Sequence, residues 1–173
     1  MEIPYRHTEK IKINQHTKDP DTRRIDGFRV AVVVLPDAPR KPHWDRLAYA
    51  EVLKTRFLRR RRQDKHADQL LTDLPNATGT RVILQTVKPH TSTFELLSSA
   101  RKIAAVLRAQ DPAAVLLHIA GFDQSTATRL TEVLSAAILA AVCPMPSYKS
   151  ETDKPAALKR IEVYGLEQPA DLA

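Results

Sequence analysis

Six histidines, one cysteine and a run of four arginines are the side chains of this 173-residue sequence with the most evident chemistry. A helical zinc site needs two histidines four residues apart on one face. His7, His16, His43, His66, His90 and His118 offer no such pair. His118 lies inside the apolar run AAVLLHI, where a hydrogen-bonded structural histidine is expected. Cys143 follows a hydrophobic helix face and precedes Pro144, so an inert, partly buried thiol is expected, with nothing to lower its pKa. No GxSxG elbow provides a serine nucleophile, and no glycine-rich loop is present to cradle phosphates. In HIAGFD, Gly121 stands between a strand and a helix, where an anion could sit at the helix N-terminus. Asp123 puts a carboxylate at the same spot, which suits capping the helix and repels phosphate. Aspartates and glutamates are scattered without an acid/base pair. The residues thus assign no catalytic group, no cofactor site and no metal ligand in this chain.

The basic run is the remaining candidate. Arg59, Arg60, Arg61, Arg62 and Lys65, with Lys54 and Arg56 nearby, could contact phosphates in a sequence-independent, salt-sensitive way. The net charge of +7 is compatible with an acidic partner such as DNA, or with a basic soluble surface. Cations in the last turn of a helix are also favoured by its dipole, so the run has a structural explanation first. Few aromatics are interleaved and no DNA-reading motif accompanies it.

The elements that must position these groups are clearest from Thr80 to Val163. TRVILQT (Thr80–Thr86) reads as a strand, Thr93 to Ala109 as a helix, and AAVLLHI (Ala113–Ile119) as a second buried strand. An apolar helix follows over Gln124–Val142, then a polar, proline-containing loop and the strand LKRIEVY (Leu158–Tyr164). Ser92 and Glu95 fit a capping box at the first of these helices. Its buried stripe is Leu96, Ala100, Ile103 and Leu107. The second helix repeats Leu130, Val133, Leu134, Ala137, Ile138 and Ala141 at helical spacing. Its longest apolar run, Ala136–Val142, is short of the roughly 20 residues that span a bilayer, so no membrane association is expected.

In the first half, KIKIN (Lys10–Asn14) alternates as an edge strand would, and FRVAVVVLP (Phe28–Pro36) reads as a strand buried on both faces. Pro36, Pro39 and Pro42 then interrupt regular structure. A helix is expected over His43–Arg61 with Trp44, Leu47, Ala48 and Val52 on its apolar face, and DQLLTDLP holds a short strand. Alternating strands and helices predict an α/β domain: a mixed sheet of about six strands with three main helices on its faces. The N-terminus lacks the apolar core of a secretory signal, and a single cysteine fits a reducing cytoplasm.

The stretches TRVILQTV, FELLSSARKIAAVLRA, AVLLHIAG and LTEVLSAAILAAVCPMPSYKSETDKPAALKRIEVYG, in that order, resemble the N-terminal domain of the leucyl aminopeptidase (cytosol aminopeptidase) family. In that family an Ala- and Leu-rich helix ends in a Tyr-Lys-Ser/Thr loop, followed by a Lys-rich spacer and a Leu-Lys-x-Val strand. Tyr148, Lys149 and Ser150 match the loop; Leu158, Lys159 and Ile161 match the strand opening. The resemblance implies a three-layer macro-domain-like α/β fold over residues 28–165, preceded by a polar extension (1–27) holding an edge strand. Residues 166–173 form a tail, after which a catalytic domain would follow. It implies a cytoplasmic parent enzyme that releases N-terminal residues such as leucine. Two divalent metal ions would lie in the catalytic domain, whose Asn-Thr-Asp-Ala-Glu-Gly-Arg-Leu signature has no match here. Assembly into a homo-hexamer and, in some bacterial members, DNA binding are further implications. A macro-type fold also suggests ADP-ribose binding, against which stand only four dispersed glycines, Gly27, Gly79, Gly121 and Gly165. The alternative to an accessory domain is a free-standing nucleic-acid-binding or regulatory module.

Overall fold

The computed structural model describes residues 11–37, 43–88, 90–143 and 156–170. Six strands form one sheet in the order β1-β6-β5-β2-β4-β3. They are β1 (Lys12–His16), β2 (Val30–Pro36), β3 (Gln69–Asp73), β4 (Arg81–Val87), β5 (Ala114–Ile119) and β6 (Arg160–Tyr164). All neighbouring pairs are parallel except β3 with β4. The helices are α1 (Thr22–Asp26), α2 (Ala50–Gln63), α3 (Thr93–Gln110) and α4 (Gln124–Val142). The fold is the α/β class expected, with a mixed sheet between helical layers.

Residue alternation along each strand divides the core in two. Val30, Val32, Val34, Val115, Leu117, Ile161 and Val163 face α3 and α4. Ala31, Val33, Leu35, Leu84, Leu116 and Tyr164 face the side of α1 and α2. Two-faced burial explains the unbroken apolar sequence of β2. Each fully buried aliphatic side chain contributes about 2 kcal/mol, so the packed layers, rather than local propensity, hold this sheet together.

α3 begins where its capping box places it: the Glu95 amide donates to Ser92 Oγ at 3.3 Å, and the Ser92 amide to Glu95 Oε2 at 2.9 Å. Asp123 caps α4, accepting from the Thr126 amide at 3.0 Å. By length and composition, α4 is long and apolar enough to cross a membrane, with a mean hydropathy of 1.2. Counting only an uninterrupted apolar run understated it. In this fold its Leu130, Leu134 and Ile138 are buried in the core with α3 and the sheet.

Three local expectations need correction. The helix expected over His43–Arg61 is a 3-10 turn at Trp44–Arg46 followed by α2 from Ala50. Leu47 is extended and Tyr49 left-handed (φ 59°), which breaks the helical phase. The buried residues of α2 are therefore Leu53 and Phe57, which the expected face left out, while Leu47 of that face is buried beside them and Trp44 and Ala48 pack against the same cluster. Cys143 is exposed rather than partly buried, because it caps α4 beyond the buried stripe. The short α1, with Asp21 as its N-cap, lies in the polar extension 1–27, where only an edge strand is expected from the sequence. The expected edge strand is β1, paired only with β6 at one end of the sheet.

Candidate functional site

Parallel register sets His16, Tyr164 and His118 side by side across β1, β6 and β5. Around them gathers a network that sequence proximity could not reveal. The His16 ring stacks on Tyr164, with centroids 4.4 Å apart and planes 13° from parallel. Its Nε2 lies 2.6 Å from Glu162 Oε2, while Asn14 donates to Glu162 Oε1 at 3.0 Å. Burial pushes the Glu162 carboxyl up, but the hydrogen bonds from His16 and Asn14 outweigh it and leave the pKa lowered. Arg24 Nε donates to the Tyr164 hydroxyl at 2.8 Å. Burial still leaves that phenol raised above its ordinary value.

The second knot is Asp19. Arg46 grips it with Nε and Nη2 at 2.9 and 3.0 Å, and His118 Nε2 lies 2.9 Å from Oδ1. Burial raises the Asp19 pKa, but the His118 and Arg46 hydrogen bonds prevail and hold it at about 2. His118 is wholly buried, and its Nδ1 has no partner among the described residues. An imidazole acts as a general base only if a ring nitrogen can reach a substrate. His118 cannot, which makes it the hydrogen-bonded structural histidine expected. The Nε2 of His16 is likewise turned to Glu162.

Two cavities open at the carboxyl ends of parallel strands. One, of about 700 Å³, lies over β1, α1 and the end of β6. The other, of about 460 Å³, lies at the ends of β2, β4 and β5. The chain leaves β2 toward the α2 face but leaves β4 and β5 toward the α3 and α4 face. That makes the smaller cavity a topological switch point, where open α/β sheets bind ligands. Its floor is apolar (Val87, Leu96, Leu130), and its rim carries Lys88, Arg129 and Asp123. Asp123 spends its carboxylate on the α4 N-terminus, and its pKa is lowered by hydrogen bonds from Thr126. Gly121, at φ +83°, is covered by the His43 ring.

The side chains of the basic run differ in their contacts. Arg61 pairs with Asp37 at 2.8 Å, donates to the Ala67 carbonyl at 3.0 Å, and lies 4.7 Å over the Phe57 ring. Arg60 is 3.9 Å from Asp64, one helical turn on. Arg56 is tied to β3 through Thr72 and the Asp73 carbonyl. Arg59, Arg62 and Lys65 are exposed. Arg61→Ala is therefore expected to cost about 2 kcal/mol in chemical denaturation, because it breaks a half-buried pair, a carbonyl contact and a ring contact together. Arg59→Ala and Arg62→Ala should stay within about 0.5 kcal/mol. Equal effects at the three positions would refute the distinction.

Tyr148, Lys149 and Ser150 lie outside the described residues. Leu158 and Ile161 of the matching strand are buried in the core. Among the described residues, no three His, Cys, Asp or Glu side chains converge as a metal-holding group. Asp19, Arg24, Arg46, Glu162 and Tyr164 were missed by sequence reasoning. The one available signal was alternation in LKRIEVY, which puts Glu162 and Tyr164 on one face.

No family model matches this sequence, and no curated protein matches it. Among solved structures, the chain is similar to tomato leucine aminopeptidase (mutant K354E), with 13% identity and a TM-score of 0.59. That match covers 91% of this chain and 33% of that one. A second is the macrodomain of Thermus aquaticus DarG: 10% identity, TM-score 0.49, covering 90% of this chain and 99% of that one. At 13% identity the first likeness is one of fold alone, and the chain spans about a third of the aminopeptidase's length.

Proposed function

We propose that this chain is a non-catalytic accessory domain of a metallo-aminopeptidase, serving assembly or access to an active site carried elsewhere. The supporting observation is the fold likeness to an aminopeptidase, which runs over nearly all of this chain and only a third of that enzyme. The side chains agree with it. Metal-assisted hydrolysis needs ligands that hold an ion and activate water, and the two best-placed histidines are instead committed to carboxylates. The two divalent ions and the hydrolytic residues of the reaction belong, in this reading, to the catalytic domain of the same parent chain.

The test uses the purified 173-residue chain with manganese or zinc and a leucine anilide. Release at the rate of the protein-free blank is expected. Metal-dependent release, abolished by chelation, would overturn the reading.

A further inference from the structure

We propose that the cleft over β1, α1 and the end of β6 binds a small phosphate-bearing anion. This goes beyond the accessory-domain reading and does not depend on it. The cleft is open to solvent, has a volume of about 700 Å³ and is lined by Lys18, Arg23, Arg24, His16 and Tyr164. Two carboxylates also line it, Asp19 and Asp21; only Asp19 is paired with a cation, and Asp21 keeps its charge. Asp19 is gripped by Arg46 and His118. Asp21 accepts from the Arg24 amide as the N-cap of α1.

The cations hold no carboxylate among the described residues. Arg24 uses only Nε, on the Tyr164 hydroxyl, which fixes its guanidinium plane and leaves both terminal nitrogens without a bond among the described residues. Lys18 and Arg23 are exposed and have no hydrogen bond or ion pair among the described residues. A guanidinium held by its Nε offers a preorganised fork for phosphate oxygens, and flanking cations add attraction in a concave site. Lys18, Arg23 and Arg24 outnumber the unpaired Asp21, so the cleft keeps a net positive charge that suits an anion of more than one charge better than a lone carboxylate. Beside them, His16 keeps 30% of its side chain exposed while one ring face rests on Tyr164. That exposed part of the ring is the surface offered to a planar group. The shared ligand chemistry is thus phosphate, carried either by free polyphosphate or by a nucleotide.

The experiment is isothermal titration of the chain at low salt with pyrophosphate, ADP and adenosine. Pyrophosphate and ADP should bind saturably with one site, and adenosine should not. Lys18→Ala/Arg23→Ala should weaken both by at least about tenfold while leaving the melting temperature in place, since neither side chain holds the fold. Arg59→Ala/Arg62→Ala, exposed on α2 and outside the cleft lining, should change nothing. ADP binding more tightly than pyrophosphate assigns the nucleotide and predicts that His16→Ala removes only the difference. Equal affinities assign free polyphosphate. Absence of binding, or loss through the α2 variant and not through the cleft variant, overturns the proposal.

Discussion

Replacing Gly165 with alanine is expected to destroy the fold, with a loss of more than about 4 kcal/mol and recovery mainly as insoluble protein. Gly165 follows β6 at φ +95°, a backbone conformation that side chains rarely adopt. An added Cβ would lie 1.9 Å from the Ile119 carbonyl oxygen and 2.8 Å from its carbon. Both atoms are backbone at the end of the central strand β5, so no rotamer change can relieve the clash. The chain cannot simply swing away either. Leu166, the next residue, is 1% exposed in the core, and the Ala120 amide on the facing strand is bonded to the Val34 carbonyl at 3.0 Å. Gly79→Ala is the control. Gly79 also has a positive φ, +60°, but an added Cβ meets nothing within 4 Å. That variant should lose about 1 kcal/mol, the cost of the backbone conformation alone. Urea denaturation of the two variants checks the contrast, and comparable stabilities would contradict it.

The second large effect is expected at Asp19. Asp19→Ala should cost about 3 kcal/mol, because it strands a buried imidazole whose Nδ1 has no partner among the described residues and takes from Arg46 its bidentate carboxylate. Asp19→Asn keeps an acceptor and should cost about 1 kcal/mol. The double variant Asp19→Ala/His118→Leu should be more stable than Asp19→Ala alone, since removing both buried partners is cheaper than orphaning one. The same pair sets an acid limit. The folded-state pKa of Asp19 is about 2 against an ordinary 3.8. Its stabilising contribution is complete above the unfolded value and is lost as pH falls through the folded one. After allowance for partial solvent exposure, this is about 1–2 kcal/mol between pH 5 and pH 2. Asp19→Asn should flatten that part of the pH–stability curve, and an unchanged slope would show that Asp19 does not titrate as described.

Much of the fold was legible because periodicity and capping are local signals. The span of α4 was read residue for residue, Gln124–Val142. The capping box at Ser92 and Glu95 located α3, and its stripe of Leu96, Ala100, Ile103 and Leu107 is buried as expected. α2 was misread because its phase is reset by two non-helical residues, Leu47 and Tyr49, that no composition rule marks. The polar network was invisible for a different reason. Asn14 and Glu162 are separated by 148 positions, and His118 and Asp19 by 99. Only the parallel register of β1, β6 and β5 makes them neighbours. Arg61 illustrates the converse: four consecutive arginines look equivalent in sequence, yet helical geometry turns one of them onto Phe57 and Asp37 and leaves Arg59 and Arg62 in solvent.

The accessory-domain reading is tested most directly by the size and activity of the native gene product, isolated from its source cells with an antibody raised against this domain. The account predicts a subunit substantially longer than 173 residues that releases N-terminal leucine only with a divalent metal, the added length carrying the activity. A native subunit of this size without peptidase activity would contradict the account, and so would leucine release by the 173-residue chain itself.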